Sequence, residues 1–199
     1  MTAMVLPAQT LTTLYTFSCT QNGCPDGSSP EGPLVQTTNG DIYGTTAFGG
    51  ANGGGTVFKI TPAGALTTIY NFCSQSGCTD GEQPDAGLVL ATDGNLYGTT
   101  RLGGTGAYTY DGGGTVFKIT ANGTLTTLYN FCSQSGCTDG SSPYAGLIQA
   151  SDGSLYGTTS GTVFKITPTG TLTTLHSFCS EAGCKDGQLP YGGLIQAAN

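Results

Sequence analysis

The sequence has little charge and few of the groups that catalytic sites commonly use. Only 9% of its 199 residues are charged, against about 25% in an average soluble domain. It has one histidine, His176, and no recurring pair of carboxylates suited to acid–base chemistry. Its formal net charge of −7, with five Lys and Arg residues, lacks the clustered cations that nucleic acids and anionic membranes attract. We therefore expect no nucleic-acid partner and no enzyme activity.

Long apolar runs and helical patterns are also missing. No segment is long and apolar enough to span a membrane, so membrane insertion is not expected. No stretch shows the 3.6-residue apolar period of a helix, and the 34 glycines and nine prolines interrupt the chain every few residues. The apolar residues form short, regularly spaced clusters, which argues against a disordered chain. The composition therefore favours an all-β protein.

What the chain has instead is a tandem repeat. The string GTVFKI begins at Gly55, Gly114 and Gly161, and YGTT begins at Tyr43, Tyr97 and Tyr156. A frame close to LTTLY-x-F ends at Phe17, Phe72, Phe131 and Phe178. Each frame is followed by C-x4-C and then by Asp-Gly-x-x-Pro, so one unit of about 47 to 59 residues has been copied. A period in this range indicates a solenoid, a propeller or another array.

The third copy predicts four antiparallel strands joined by tight turns. The expected strands are Gly146–Ala150, Ser154–Thr159, Thr162–Thr167 and Thr171–Phe178. Both faces of such strands carry apolar side chains, as Leu128 and Tyr129 do in the second copy, so each sheet needs a neighbour on both sides. Radial stacking of blades meets that need and favours a β-propeller-like array over a solenoid or another all-β array. We expect the recurring Tyr and Phe residues to be buried at equivalent positions: Tyr43, Tyr97, Tyr156, Phe58, Phe117, Phe164, Phe72, Phe131 and Phe178.

The strands add up to about three and a half blades in a single repeat domain, residues 11–199. The chain supplies a lone fourth strand at 11–17, blades at 33–72, 87–131 and 146–178, and a lone first strand at 193–198. Closed propellers have about four to eight blades, so we expect a fragment of a longer array or an array completed by another copy. We expect the two lone strands to meet as an incomplete fourth blade, which would bury Leu14, Phe17, Leu194 and Ile195. Residues 1–10 resemble the end of a signal peptide, the alternative being a disordered tail.

Eight cysteines form four identical C-x4-C pairs. An even number with strict spacing indicates disulfides and an oxidising compartment. Zinc would favour C-x2-C spacing and usually histidine, and free thiols are the remaining alternative. The predicted bridges are Cys19–Cys24, Cys73–Cys78, Cys132–Cys137 and Cys179–Cys184.

Candidate binding residues lie on the loops between the second and third strands, which vary in length. In a propeller these loops share an edge with the links between blades, and binding residues concentrate on such loops. The longest loop offers Arg101, Tyr108, Tyr110 and Asp111. Tyrosine combines stacking area with a hydroxyl, which suits sugars or peptides. The alternative is a solvated surface insertion.

The remaining polar motifs favour structural roles. We interpret the aspartate of Asp-Gly-x-x-P as a turn cap rather than a calcium ligand, because the copies supply other acids unevenly. These residues are Asp26, Asp80, Asp139 and Asp186. We read Asp93 and Asp152 as hairpin-turn residues and His176 as a substituted core or rim residue. We expect no metal, no cofactor and no catalytic residue.

The combination DG-x-LYGTT…GG…GTVFKI…G-x-LTTLYNF resembles the bacterial extracellular tandem repeat called GloVer, or HAF-type extracellular repeat, over residues 11–198. The resemblance implies a secreted or surface-attached, all-β, propeller-like array with no known reaction. We expect an extracellular or cell-surface module with a binding or scaffold role, its partners being a carbohydrate or a surface protein. The alternatives are part of an extracellular polysaccharide-acting enzyme, by analogy of fold alone, and a structural protein that self-associates through open strand edges.

Overall fold

Each repeat folds into one four-stranded antiparallel sheet whose strands follow in chain order. The computed structural model describes residues 10–21, 23–106 and 113–197. The first sheet contains β1 (Val35–Gln36), β2 (Ile42–Thr46), β3 (Thr56–Ile60) and β4 (Leu66–Asn71). The second contains β5 (Val89–Leu90), β6 (Leu96–Thr100), β7 (Thr115–Ile119) and β8 (Leu125–Asn130). The third contains β9 (Ile148–Gln149), β10 (Leu155–Thr158), β11 (Thr162–Ile166) and β12 (Leu172–Ser177).

This architecture confirms the predicted all-β, propeller-like array of four-stranded blades. The helical content of the described residues is two short 3-10 turns, Ser76–Cys78 and Ser135–Cys137. In the described part of the chain, no helix is long and apolar enough to cross a membrane.

The glycine of the recurring YGTT string sets how each sheet packs. Gly98 lies opposite Phe117 in the register of β6 and β7. A Cβ added at Gly98 would lie 2.6 Å from Phe117 Cζ and 2.9 Å from Leu88 Cδ2. The phenylalanine ring therefore lies across the glycine, in space that any side chain would fill.

The sheets stack on one another through the recurring phenylalanines. The ring of Phe72 contacts that of Phe117 edge to face at 5.2 Å between centroids, and Phe131 contacts Phe164 in the same way at 5.1 Å. Each pair joins the last strand of one repeat to the third strand of the next, and each lies in a buried apolar cluster between two sheets. The core is thus a series of equivalent layers between neighbouring sheets.

Seven of the nine aromatic residues expected in the core are buried. The exceptions are Tyr156 and Phe178 of the third repeat, which are partly exposed. Their equivalents Tyr97 and Phe131 are fully covered by the following sheet. Among the described residues no fourth sheet follows the third, so the same side chains lack that cover.

The segment at 11–17, expected as a strand, has no strand structure. It nevertheless lies where a fourth strand of a preceding repeat would lie. Phe17 contacts Phe58 edge to face at 5.1 Å, and a Cβ added at Gly64 would lie 2.7 Å from the Leu14 carbonyl oxygen, as one at Gly170 would from that of Leu128. A fourth strand needs a third strand of its own sheet to pair with, and that partner is missing from the described residues.

The segment expected as a strand at 193–198 has no strand structure over its described part, 193–197. It too occupies a repeat position. Gln196 Oε1 accepts a hydrogen bond from Ser151 N at 3.2 Å, as Gln149 Oε1 does from Thr92 N at 2.9 Å. Its second-strand partner is missing in the same way.

The prediction that these two segments meet as an incomplete fourth blade is wrong for the described residues. Among the described residues no strand pairing or backbone hydrogen bond joins them, and Leu14 and Ile195 remain 44% and 91% exposed. One segment supplies a fourth strand and the other a first strand. In each sheet the first strand pairs with the second and the fourth pairs with the third. A first strand and a fourth strand therefore do not pair with each other.

Candidate binding site

The links between repeats are held first by the cysteines. All four local bridges that the spacing predicts are present: Cys19–Cys24, Cys73–Cys78, Cys132–Cys137 and Cys179–Cys184. In the second and third links, the second cysteine of the pair ends a 3-10 turn, and the glycine before it, Gly77 or Gly136, has a left-handed backbone. Glycine adopts that conformation at low steric cost.

A buried aspartate caps the second link and another caps the third. Asp80 is 1% exposed, and its Oδ2 accepts hydrogen bonds from Ser74 N, Ser74 Oγ and Tyr70 OH at 2.9, 2.7 and 2.8 Å. Asp139 makes the same three contacts with Ser133 and Tyr129. Burial, followed by the bond to Asp80, raises the pKa of Tyr70 against the opposing effect of Ser74. These contacts confirm the turn-cap interpretation.

The fourth link departs from this pattern. His176 takes the place of the tyrosine, and its Nε2 lies 3.8 Å from Asp186 Oδ2. His176 is exposed, which fits the predicted rim position. Ser180 N and Oγ still donate to Asp186, at 3.1 and 2.8 Å, so the cap persists without the tyrosine.

The first three links form backbone hydrogen bonds with the loops of variable length, as the sequence predicts. Glu82 N donates to Leu102 O at 2.9 Å, and Leu102 N donates back to Glu82 O at 3.0 Å. Gln83 N donates to Gly54 O, in the loop of the preceding repeat, at 2.9 Å. One link thus joins the loops of two neighbouring repeats and fixes the residues that follow it.

The residue after the proline of Asp-Gly-x-x-P is the one that changes in chemistry. The four copies carry Glu31, Asp85, Tyr144 and Tyr191 at this position. All four line one pocket of about 370 Å³ at the inner ends of the sheets, which we call the inner pocket. Its floor comes from the chain that follows, including Pro33, Ala86, Gly146, Leu147 and Leu194.

Arg101 connects the side chains of the inner pocket. Its Nε lies 3.5 Å from Asp85 Oδ2, and its Nη2 donates a hydrogen bond to Gln83 Oε1. Its guanidinium carbon lies 5.5 Å from the centre of the Tyr144 ring. Tyr144 in turn meets Tyr191 edge to face at 4.7 Å. Arg101 does not line the pocket itself, but it contacts two side chains that do, the Asp85 carboxylate and the Tyr144 ring.

The acids of the pocket influence each other. Burial raises the pKa of Asp85, the negative charge of Glu31 raises it further, and the Arg101 guanidinium opposes both. When Asp85, Glu31 and Arg101 are all ionised, the three side chains together carry one net negative charge. The pocket thus offers hydrogen-bond donors and acceptors next to aromatic surface, with little net charge.

The sequence prediction and this pocket share no lining residue among the described ones. Arg101, named there as a candidate, lies behind the pocket and contacts Asp85 and Tyr144. Tyr108, Tyr110 and Asp111 lie outside the described residues. The reasoning missed Glu31, Asp85, Tyr144 and Tyr191. The available signal was that this position changes chemistry inside a motif whose other members recur.

One group in the described chain has metal-ligand types close together. Ligand atoms of Cys73, Cys78 and Glu82 lie within 4.8 Å of one another. The two cysteines are bridged to each other, and a bridged sulfur has no thiolate to offer a metal. The geometry is that of a disulfide beside a carboxylate.

Comparison with known proteins places the repeat in a family. Among curated proteins, none matches the chain. Solved structures with a similar arrangement include a streptogramin B lyase, 22% identical with a TM-score of 0.48 over 76% of this chain and 41% of that one. Virginiamycin B lyase from Staphylococcus aureus is 16% identical, with a TM-score of 0.48 over 75% of this chain and 41% of that one. The chain thus spans under half the length of these proteins.

The family profile of the Gloeobacter/Verrucomicrobia repeat matches residues 3–199, nearly the whole sequence. The match includes the strings that form the strands, the bridged links and the glycines under the phenylalanine rings. The chain belongs to the Gloeobacter/Verrucomicrobia repeat family.

Proposed function

We propose that this chain is a secreted or cell-surface binding module and that its inner pocket binds a carbohydrate. The observation that carries the proposal is where the repeats differ. Most positions of Asp-Gly-x-x-P and its neighbours shape turns and packing, whereas the residue after the proline changes from acid to tyrosine and lines one pocket. A position that changes in chemistry while all four of its copies line one pocket favours recognition over packing.

The chemistry of the pocket suits a sugar with little charge. Tyrosine rings offer faces to the apolar faces of a pyranose and hydroxyls to its polar edge. Tyr191 is 55% exposed and is free to take part in such stacking. The carboxylates of Asp85 and Glu31 line the pocket and can accept hydrogen bonds from sugar hydroxyls, and charge-assisted bonds are about twice as strong as neutral ones. The volume of about 370 Å³ lies within the range of about 300–1,000 Å³ for small-molecule sites.

The four bridges support the extracellular part of the proposal. Disulfides persist in oxidising compartments and are rare in most cytosolic proteins. Eight cysteines, all bridged within their own links, would be unusual in a reducing compartment.

The test is binding of the full chain to a panel of soluble bacterial and plant polysaccharides by affinity electrophoresis, followed by calorimetry on the best ligand. We expect Tyr191→Ala to weaken binding at least about tenfold, or about 1.4 kcal/mol, and Tyr191→Phe to retain most of it. Leu175→Ala, an exposed apolar residue on the third sheet away from the pocket, is the matched control. Failure of all glycans to bind, or equal binding by Tyr191→Ala and Leu175→Ala, would contradict the proposal.

We further propose that the module binds without turnover. The acids at the pocket are Glu31, which is exposed, and Asp85, which Arg101 contacts. Neither recurs as part of a repeated catalytic set. Incubation with the bound glycan should release no new reducing ends, and release that Asp85→Asn abolishes would favour the enzyme alternative.

A further inference from the structure

The outer side of the third sheet exposes side chains that are covered in the other repeats. We call this surface, formed by Tyr156, Val163, Leu175 and Phe178, the open face. Leu175 is 51% exposed, and the other three are partly exposed. Their equivalents in the second sheet are 0% exposed at Tyr97, Val116 and Phe131, and Leu128 is partly buried. The open face therefore repeats a surface that is an interface elsewhere in the chain.

The equivalent surface of the second sheet shows which residues pack against it. The second sheet is covered by Leu155 of β10 and by Phe164 and Ile166 of β11, which pack with Val116 and Phe131 in one buried cluster. The turn after β11 also approaches closely, since a Cβ added at Gly170 would lie 2.7 Å from the Leu128 carbonyl oxygen. The partner at each internal interface is thus a β-hairpin made of the second and third strands of a repeat.

Residues 192–196 already hold the place of the strand that such a hairpin pairs with. Thr158 Oγ1 donates to Gly192 O at 3.3 Å, as Thr45 donates to Ala86 O and Thr99 to Ala145 O. In the third repeat the corresponding residue Ile148 pairs with Tyr156 of β10. Its equivalent Ile195 is 91% exposed and lies outside every described strand pairing. Residues 193–197 therefore lie at the position of a first strand, next to the exposed apolar side chains of the open face.

We propose that the open face binds a β-hairpin of the repeat's own pattern, LYGTT followed by GTVFKI, from a further copy of the repeat. The hairpin adds its first strand to 193–197 and lays its phenylalanine on Phe178. Recognition by strand addition takes affinity from backbone hydrogen bonds and specificity from side-chain pockets. The continuity with two internal interfaces of the same design identifies the occupant.

The glycine of YGTT gives the interaction a specificity test. In all three sheets this glycine lies under a leucine of the first strand: a Cβ added at Gly44, Gly98 or Gly157 would lie 2.6, 2.9 or 2.8 Å from Cδ2 of that leucine. The equivalent leucine next to the open face is Leu194. An incoming hairpin with a larger residue at the glycine would collide with Leu194 and with its own phenylalanine.

The experiment uses the full chain and a fluorescent synthetic peptide with the sequence of residues 152–168, which contains the shortest of the three hairpins formed by second and third strands. We expect saturable binding by fluorescence anisotropy, and hydrogen exchange should slow at residues 193–197 when the peptide is added. A peptide with Gly157→Val should bind at least about tenfold more weakly. Leu175→Asp in the protein should also weaken binding at least about tenfold, whereas Leu34→Asp, an equally exposed leucine on the first sheet at 58%, should not.

The proposal is overturned if the peptide does not bind, or if the Gly157→Val peptide or Leu175→Asp protein binds as tightly as the originals. It is also overturned if the chain dimerises through the open face while the peptide fails to compete, since a surface other than this hairpin would then occupy the face. Far-ultraviolet circular dichroism of each variant separates lost binding from lost folding. The hairpin site shares Gly193 and Leu194 with the inner pocket, but neither Leu175 nor Leu34 lines that pocket, so both protein variants should keep their carbohydrate binding whatever the outcome with the peptide.

Discussion

Asp139 shows at the scale of one residue why the links recur so faithfully. Its carboxylate is fully buried, and one oxygen accepts three hydrogen bonds from Tyr129 and Ser133. Removing an acceptor in such a place leaves several donors without a partner, which costs more than the bonds themselves contribute. The packing of the link requires an aspartate at this position. The residue after the proline does not hold the link in this way, and its chemistry differs among the copies.

We expect Asp139→Ala to lower the free energy of unfolding by about 1–3 kcal/mol because it removes the buried acceptor of Ser133 N, Ser133 Oγ and Tyr129 OH. The matched control is Asp186→Ala in the fourth link, whose bonds from Ser180 lie at the surface and whose loss should be smaller. Urea unfolding followed by circular dichroism measures both. Equal losses would mean that burial of the cap contributes nothing.

The inner pocket makes a prediction about protonation. Because burial and Glu31 raise the pKa of Asp85, the folded chain holds this proton more tightly than the unfolded chain does. The contribution of Asp85 to stability is therefore fully present below its ordinary pKa and declines as the pH rises through the raised value. Glu31→Gln should lower the Asp85 pKa and Arg101→Gln should raise it, by carbon-13 titration of the carboxyl group. Movement of either pKa in the opposite direction would contradict the described contacts.

At the scale of strands and loops, prediction worked where the cause is local. The third strand of the third repeat was expected at Thr162–Thr167 and is observed at Thr162–Ile166, because its turns and its apolar pattern are local properties of the sequence. The segment at 11–17 has the same pattern as β8 but no strand structure, since a strand also needs a partner. The inner pocket was missed for a related reason. Glu31 and Tyr191 are distant in sequence and line one site through the arrangement of all the repeats.

The glycine beneath each phenylalanine gives a test of the sheet packing. Gly98→Ala places a methyl group 2.6 Å from Phe117 Cζ, and we expect it to destabilise the chain by about 1–3 kcal/mol, as overpacking does. Gly161→Ala is the control, because a Cβ there meets nothing within 4 Å. Its effect should stay within about 0.5 kcal/mol. Thermal unfolding of both variants compares them, and similar values would refute the close packing at Gly98.

At the scale of the whole molecule, stability is shared between neighbouring repeats. Each buried cluster lies between two neighbouring sheets. One side of the cluster comes from one repeat, and the other side comes from the second and third strands of the next repeat. Repeat arrays of this kind gain most of their stability from such nearest-neighbour interfaces. The first and second sheets are each covered by the sheet that follows, whereas no described residues form a sheet over the third. Equivalent residues should therefore contribute different amounts to the free energy of unfolding according to their place in the array.

The most direct measurement compares Phe131→Ala with Phe178→Ala by urea unfolding. The two residues hold the same position of the same motif, but Phe131 is 0% exposed beneath the third sheet and Phe178 lies on the open face. We expect Phe131→Ala to cost about 3–5 kcal/mol, as truncation of a fully buried ring does, and Phe178→Ala to cost less than half as much. Equal costs, or a loss below about 1 kcal/mol at Phe131, would contradict the stacking of the repeats.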